Sequence, residues 1–176
     1  SSGELTTDFP LEAITSAMAV APPVDFHDCA NNMDRPSRRI YTSYYLRMLD
    51  KQVEHRQQRW EQWRAIPREP RVRSIRQFDE RFTAPLSGFR DASHYYSMSS
   101  SRRLLPDITT KTTIVADRHD PIVTFSSIAG AQLNTVSTQL ITTDFGGHMG
   151  YFGIDANGKL IRWMEHFVIQ RISETL

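Results

Sequence analysis

Two stretches decide the fold: residues 111–121, KTTIVADRHDP, and residues 136–150, VSTQLITTDFGGHMG. Thr112 to Ala116 is β-branched and apolar, which reads as a short strand, and Asp120-Pro121 ends it in a turn. Val136 to Thr142 repeats the pattern and runs into Gly146-Gly147-His148-Met149-Gly150. An acid and a histidine thus lie 28 positions apart, each just beyond a strand and each predicted to lead on into a helix. An Asp-Pro turn alone is more often only a turn. In this order, on consecutive strand ends, the two residues have the makings of an acid–base pair.

Working outward, Ala13 to Val20 is small and apolar and closes at Ala21-Pro22-Pro23, whose prolines end any ladder. It reads as a buried strand, predicted parallel to the other two. Residues 26 to 34 form a polar turn or short helix. Beyond Pro36, the residues Ile40, Tyr41, Tyr44, Tyr45, Met48, Leu49 and Val53 recur at three- and four-residue spacing, the mark of one long amphipathic helix or two, ending before Pro67. A second helical block runs through Ile75, Phe78 and Phe82, breaks at residues 84–88, and resumes from Asp91 as N-cap through Tyr95, Tyr96 and Met98. A short helix is predicted through Ile128 and Leu133. A closing helix is predicted from near Asn157, with Leu160, Ile161, Met164, Phe167, Val168 and Ile172 on one face.

Strands alternating with helices imply an α/β fold with a parallel sheet. The expected organisation is one partial domain over 1–176: strand and turn at 13–28, a helical lid inserted at 29–106, and the last two strands, acid and histidine loops and closing helix at 107–176. Three parallel strands leave an edge and parts of both faces uncovered, so self-association or a partner supplying further strands is expected.

The chain has 176 residues, 39% of them hydrophobic, enough for one domain with a core, and no run approaches the ~20 apolar residues that span a bilayer. No secretory signal pattern is evident, and the single cysteine, Cys29, fits a reducing compartment, so the expected location is cytoplasmic. The net charge is +1, yet between Arg35 and Arg76 twelve Lys or Arg stand against four Asp or Glu. This basic insert, with Trp60 and Trp63 beside its arginines, is more often a solvated face than a nucleic-acid surface. Of the two binding readings, peripheral contact with anionic lipid stands ahead of nucleic acid but behind the solvated face, and no nucleic-acid partner is expected. His27, His55, His94, His119 and His166 show no metal spacing, and Cys29 reads as a small hydrophobe. No metal or other cofactor is expected.

Beyond these readings, the chain resembles the YheT-like branch of the α/β-hydrolases. The resemblance lies in Phe78-Asp79-Glu80, Phe82-Thr83-Ala84-Pro85-Leu86, Gly88-Phe89-Arg90-Asp91-Ala92, Tyr95-Tyr96, Ser99-Ser100, Leu105-Pro106, Ile108, Asp120-Pro121 and residues 146–150, in order over nearly the whole chain. Lys111 departs from a proline that often opens the seventh strand, and His119 replaces the first acid of the usual Asp-Asp-Pro. The resemblance implies the C-terminal part of that fold, with parallel strands six to eight and an inserted lid. It assigns Asp120 as the triad acid and His148 as the general base, with Met149 and Tyr151 as possible walls of the substrate site. The family's Gly-x-Ser-x-Gly nucleophile elbow occurs nowhere in the 176 residues and is expected about one helix before Ser1.

The implied function is a serine-type carboxylic ester hydrolase acting on short or medium acyl esters or acylglycerol-like lipids. This chain would supply the acid and base and be inactive by itself. The alternative is a truncated or degenerate α/β-hydrolase kept as a non-catalytic binding module. A third reading, an anionic-surface binder using residues 35–76, predicts binding that weakens with salt.

Overall fold

Ile114, Val115 and Ala116 are all buried, as a continuous apolar run must be when a parallel strand is covered on both faces. The computed structural model describes residues 14–173. The elements run in chain order from β1 (Ser16–Val20) through α1 (Phe26–Met33), α2 (Arg39–Arg59) and α3 (Glu61–Arg64) to α4 (Ile75–Phe78), α5 (Ala84–Leu86) and α6 (Ala92–Ser99). After these come β2 (Lys111–Asp117), α7 (Phe125–Ala129), β3 (Thr138–Thr143), β4 (Phe152–Ile154), β5 (Leu160–Arg162) and α8 (Trp163–Ser173). They fall into two units, one holding all five strands and α8, the other holding Pro23–Arg103 with Pro121–Gly130.

In the strand unit, β1, β2 and β3 form a parallel sheet in that order, with Val20 opposite Val115 and Asp117 opposite Thr143. The expected parallel pairing is present. Ala13, where the first strand is expected to begin, lies outside the described residues, and Ile14 and Thr15 precede the ladder. Among the described residues β1 pairs on one side only, and its Ser16 and Ala17 are exposed.

Two boundaries in this unit differ from expectation. β3 begins at Thr138 rather than Val136, because Asn134 organises a turn ahead of it. Its carbonyl accepts from Thr138 N at 2.7 Å, its Oδ1 accepts from Val136 N at 3.2 Å, and its Nδ2 donates to the Ile108 carbonyl at 3.0 Å, which leaves the Val136 side chain in solvent. The closing helix begins at Trp163, not near Asn157. Residues 152–162 instead form an antiparallel hairpin, β4 against β5. Asp155 Oδ1 accepts from the backbone N–H of Asn157 and of Lys159, both at 2.9 Å, and Gly158 supplies the left-handed residue (φ 79°) that reverses the chain. His148 is therefore followed by a hairpin rather than directly by a helix.

The helical unit is packed around two apolar clusters. Ala30, Ala92 and Tyr96 form one with Phe26, Ile75 and Tyr95; Val53, Phe78 and Phe82 form the other with Leu46, Leu49 and Trp63 among their neighbours. The helix ends follow the capping residues. Asp25 caps α1 by accepting from Asp28 N at 3.1 Å, and Asp91 caps α6, as expected, by accepting from His94 N at 2.7 Å.

Between α4 and α5 the backbone widens into a single π turn, Asp79–Thr83, and helix continues through Pro85 instead of breaking at Ala84. Pro85 sits at the start of α5, where a missing N–H is tolerated, and the true stop is Gly88 (φ 78°). α7 ends at Ala129 and does not reach Leu133, because Arg102 Nη2 donates to the Gly130 carbonyl at 2.8 Å and fixes the terminus there.

The apolar stripe of α2 divides in two. Val53 is buried and Tyr45, Leu46 and Leu49 are half-buried, but Ile40, Tyr41, Tyr44 and Met48 are exposed. The apolar positions cover a wider arc than the neighbouring helices fill.

Phe82 meets Phe78 at 5.1 Å between ring centroids and stacks on Trp63 at 6.3 Å. Phe82→Ala should cost about 3–5 kcal/mol, as expected for a large buried aromatic, read as a lowered midpoint in urea unfolding.

Candidate active site

β2 ends on an acid. Asp117 continues the buried run of Ile114–Ala116 and is itself only 1% exposed. A carboxylate in such a place must have its lone pairs filled. Asp117 Oδ1 accepts from His119 N at 2.8 Å, and Oδ2 accepts from Gly146 N at 2.6 Å and from the Thr143 hydroxyl at 2.7 Å. Burial by itself pushes this carboxyl up, but the bonds from Thr143 and from the backbone N–H groups of Gly146, His119 and Gly147 outweigh it and hold the group below the ordinary range.

One side chain thereby ties the turn after β2 to the turn after β3. A further bond between the two turns, Arg118 N to the Thr143 carbonyl at 2.9 Å, runs alongside.

These two turns carry the expected pair. His148 Nδ1 lies 3.0 Å from Asp120 Oδ2. The Asp120 side chain is 2% exposed and the imidazole 29%, so the carboxylate is sheltered while the ring reaches solvent. Chemically, a buried carboxylate at Nδ1 fixes the tautomer that leaves the second ring nitrogen able to accept a proton, and it stabilises the imidazolium that results.

The two residues expected at the substrate wall separate. Met149 is exposed, whereas Tyr151 is 3% exposed. The Tyr151 ring lies so close to Gly146 that a Cβ there would fall 2.2 Å from it, so only glycine fits. The ring also packs at 6.2 Å from Trp163, which stacks on Phe167 at 4.8 Å. Burial, and then the charges of Asp120 and Asp117, push the phenol up to about 12. Its hydroxyl is buried without a hydrogen-bond partner among the described residues.

The side chains of the other histidines are not part of the pair, although His119 gives its backbone N–H to Asp117. His119 is exposed. His27 packs edge-on to Tyr96 at 5.2 Å, and His94 does the same to Phe89 at 5.5 Å. Among the described residues no three His, Cys, Asp or Glu side chains converge in a way that could hold a metal ion.

Asp117 was not singled out by sequence reading. The signal was available, because an acid placed directly after three apolar residues of a buried strand needs dedicated donors, and the glycine-rich loop is a source of them.

Asp117→Asn should destabilise the strand unit by roughly 1.5–3 kcal/mol at neutral pH, the scale of hydrogen bonds to a charged group. The folded carboxyl lies below its unfolded value of about 3.9, so its contribution is fully present above that pH and is lost as pH falls through the folded value. The stability gap between wild type and variant, followed by urea unfolding from neutral to acid pH, should therefore close in acid. Tyr151→Phe should leave stability unchanged or raise it by about 1 kcal/mol, because it removes a buried hydroxyl that has no partner. The thermal midpoint reads this directly.

Comparison with known proteins shows what the chain is similar to. The chain is 28% identical over 163 residues to YheT of Escherichia coli (strain K12), an esterase by name, covering 90% of this chain and 46% of that protein. It is 34% identical over 93 residues to a monoacylglycerol lipase of Saccharomyces cerevisiae, covering 53% of this chain and 20% of that one. Over 128 residues it is 27% identical to phospholipase ABHD3 of Mus musculus, covering 70% of this chain and 30% of the mouse protein. The chain thus spans less than half the length of each of these relatives. No family model matches it, and no solved structure matches it at a significant level. The relatives are α/β-hydrolases, and this chain, with its parallel α/β sheet, is similar to them over up to 90% of its own length.

Proposed function

We propose that this chain supplies the acid and the base of a serine-type carboxylic ester hydrolase acting on short or medium acyl esters or acylglycerol-like lipids. The observation that carries the reading is the contact of His148 Nδ1 with Asp120 Oδ2 at 3.0 Å, formed by turns at the ends of two adjacent parallel strands. The names of the relatives, an esterase, a lipase and a phospholipase, support an ester substrate. In this reading β1, β2 and β3 are strands six, seven and eight of the hydrolase sheet, residues 29–106 are its lid, and the unpaired edge of β1 is where the rest of the sheet adds.

The mechanism follows from the pair. The second nitrogen of His148 removes the hydroxyl proton of a serine supplied from outside these 176 residues, and the serine oxygen bonds to the ester carbonyl carbon. Collapse of the tetrahedral adduct breaks the bond to the alcohol, which leaves with the proton from His148, and an acyl-enzyme remains. Water, deprotonated by the same nitrogen, attacks the acyl carbon, and collapse of this second adduct breaks the bond to the serine oxygen, which takes the proton back from His148 as the acid leaves. Asp120 stays ionised and stabilises the imidazolium in both halves. The sequence needs no cofactor. Among the described residues no helix is long and apolar enough to cross a membrane, and a cytoplasmic place of action belongs to the same reading.

Labelling with a fluorophosphonate probe tests it, run on this chain and on the protein's full natural chain. Only the full chain should label, and Asp120→Asn or His148→Ala should slow labelling by about 10³–10⁴-fold. Labelling that survives His148→Ala would remove the base from its role. No labelling of the full chain would favour a non-catalytic binding module instead.

A further inference from the structure

The helical unit contains a cleft of about 660 Å³, within the range of small-molecule sites. One wall is a single face of α2, on which Arg39 and Arg47 lie two turns apart; the other is the extended segment 68–73 that precedes α4. The floor is apolar, with Met33, Phe78 and Phe82 all buried.

The charge in this cleft is one-sided. Both of its carboxylates are already engaged: Asp50 holds Arg68 through two bonds, of 2.8 and 3.2 Å, and Asp34 accepts from the backbone N–H of Ile75 and Arg76 at 2.7 and 3.2 Å. Arg35, Arg39, Arg47 and Arg73 also line the cleft, and among the described residues none of them makes an ion pair with a carboxylate. These four guanidinium groups, all exposed, give the rim of the cleft an excess of positive charge over an apolar floor, which an anion would offset.

The arrangement also limits what that anion is. A carboxylate offers two oxygens and one negative charge, whereas a phosphate monoester offers three terminal oxygens and a larger charge, and can accept forks from more directions. The floor has no matching polar groups and suits a hydrocarbon chain. We infer that this cleft binds the phosphate head of a single-chain phospholipid, with the acyl chain laid on Met33, Phe78 and Phe82. The binding is independent of the ester-hydrolysis reading, since it uses none of the residues of the Asp120–His148 pair.

The experiment is calorimetric titration of the full natural chain with monomeric oleoyl lysophosphatidate, with oleoyl lysophosphatidylcholine and inorganic phosphate as comparison ligands. Lysophosphatidate should bind most tightly, and its affinity should fall with added salt. Arg39→Glu with Arg47→Glu should weaken it by about 100-fold, at roughly tenfold per charged hydrogen-bonding group. Arg39→Lys with Arg47→Lys keeps the charge but loses the forks and should cost about tenfold. Both positions are exposed, and the thermal midpoint of each variant shows that it remains folded. Equal binding of the phosphocholine lipid, whose phosphate diester carries its own compensating cation, would show that the net negative charge of the head is not read and would overturn the inference. Equal binding of inorganic phosphate would make the cleft a free-anion site. No binding of lysophosphatidate, or binding unchanged in the folded lysine variant, would overturn the inference; loss of fluorophosphonate labelling with lipid binding intact would touch only the hydrolase reading.

Discussion

The carboxylate of Asp117 is the constraint on which the strand unit depends. Removing a charge from water costs several kcal/mol, and the cost is met only where donors are already in place. Here they come from Thr143 at the end of β3, Gly146 and Gly147 in the loop beyond it, and His119 in the turn after β2. The parallel register puts Asp117 directly opposite Thr143, so the pairing of the strands delivers the hydroxyl to the carboxylate. With both turns fixed to one group, Asp120 and His148 stand on a common base and their 3.0 Å contact follows from it. A pair set by a single buried anchor loses less side-chain entropy on meeting than one held by two independent loops.

Tyr151 closes the same base from the other side. Its ring occupies the space that a side chain on Gly146 would need, and the Tyr151, Trp163 and Phe167 rings form a continuous aromatic run from the histidine loop into α8. The hairpin of β4 and β5 lies between Tyr151 and Trp163 in the sequence and brings them together in space, with Gly153 closely packed against the Trp163 side chain. The glycines of residues 146–153 therefore serve packing as much as turning. Two of them mark places where an aromatic ring presses on the backbone, which is a stricter demand than conformational freedom.

What was legible in the sequence was whatever a local pattern dictates. The β-branched run at 112–116 made a strand because it suits a pleated, covered surface, and Asp91 capped a helix because its side chain competes for the first free N–H groups. What was misread shows where local pattern gives out. Leu160 and Ile161 fit a helical stripe with Met164 and Phe167, yet Asn157-Gly158, flanked by Phe152, Ile154 and Leu160, is also a hairpin signal, and the turn chemistry of Asp155 and Gly158 prevailed over the periodicity. Tyr41, Tyr44 and Met48 satisfied the helical period but remained exposed, because periodicity states which residues share a face and not how much of that face a neighbour covers. The placement of Asp120 and His148 at strand ends could be read from chain order; their common anchor in Asp117 could not, because it depends on which strands lie side by side.

Two carboxylates, one in each unit, are met in different ways, and the difference bears on the chemistry. In the helical unit Asp50 meets the guanidinium of Arg68. In the strand unit Asp117 is satisfied by neutral donors, and Arg118, next to it in sequence, turns its guanidinium towards Asp144 at 3.1 Å. That exposed ion pair is worth little as stability. Amide and hydroxyl donors fix the neighbouring backbone without adding a positive charge. The attraction between Asp120 and His148 therefore grows as the imidazole takes up a proton, which is the condition under which a buried acid aids a base.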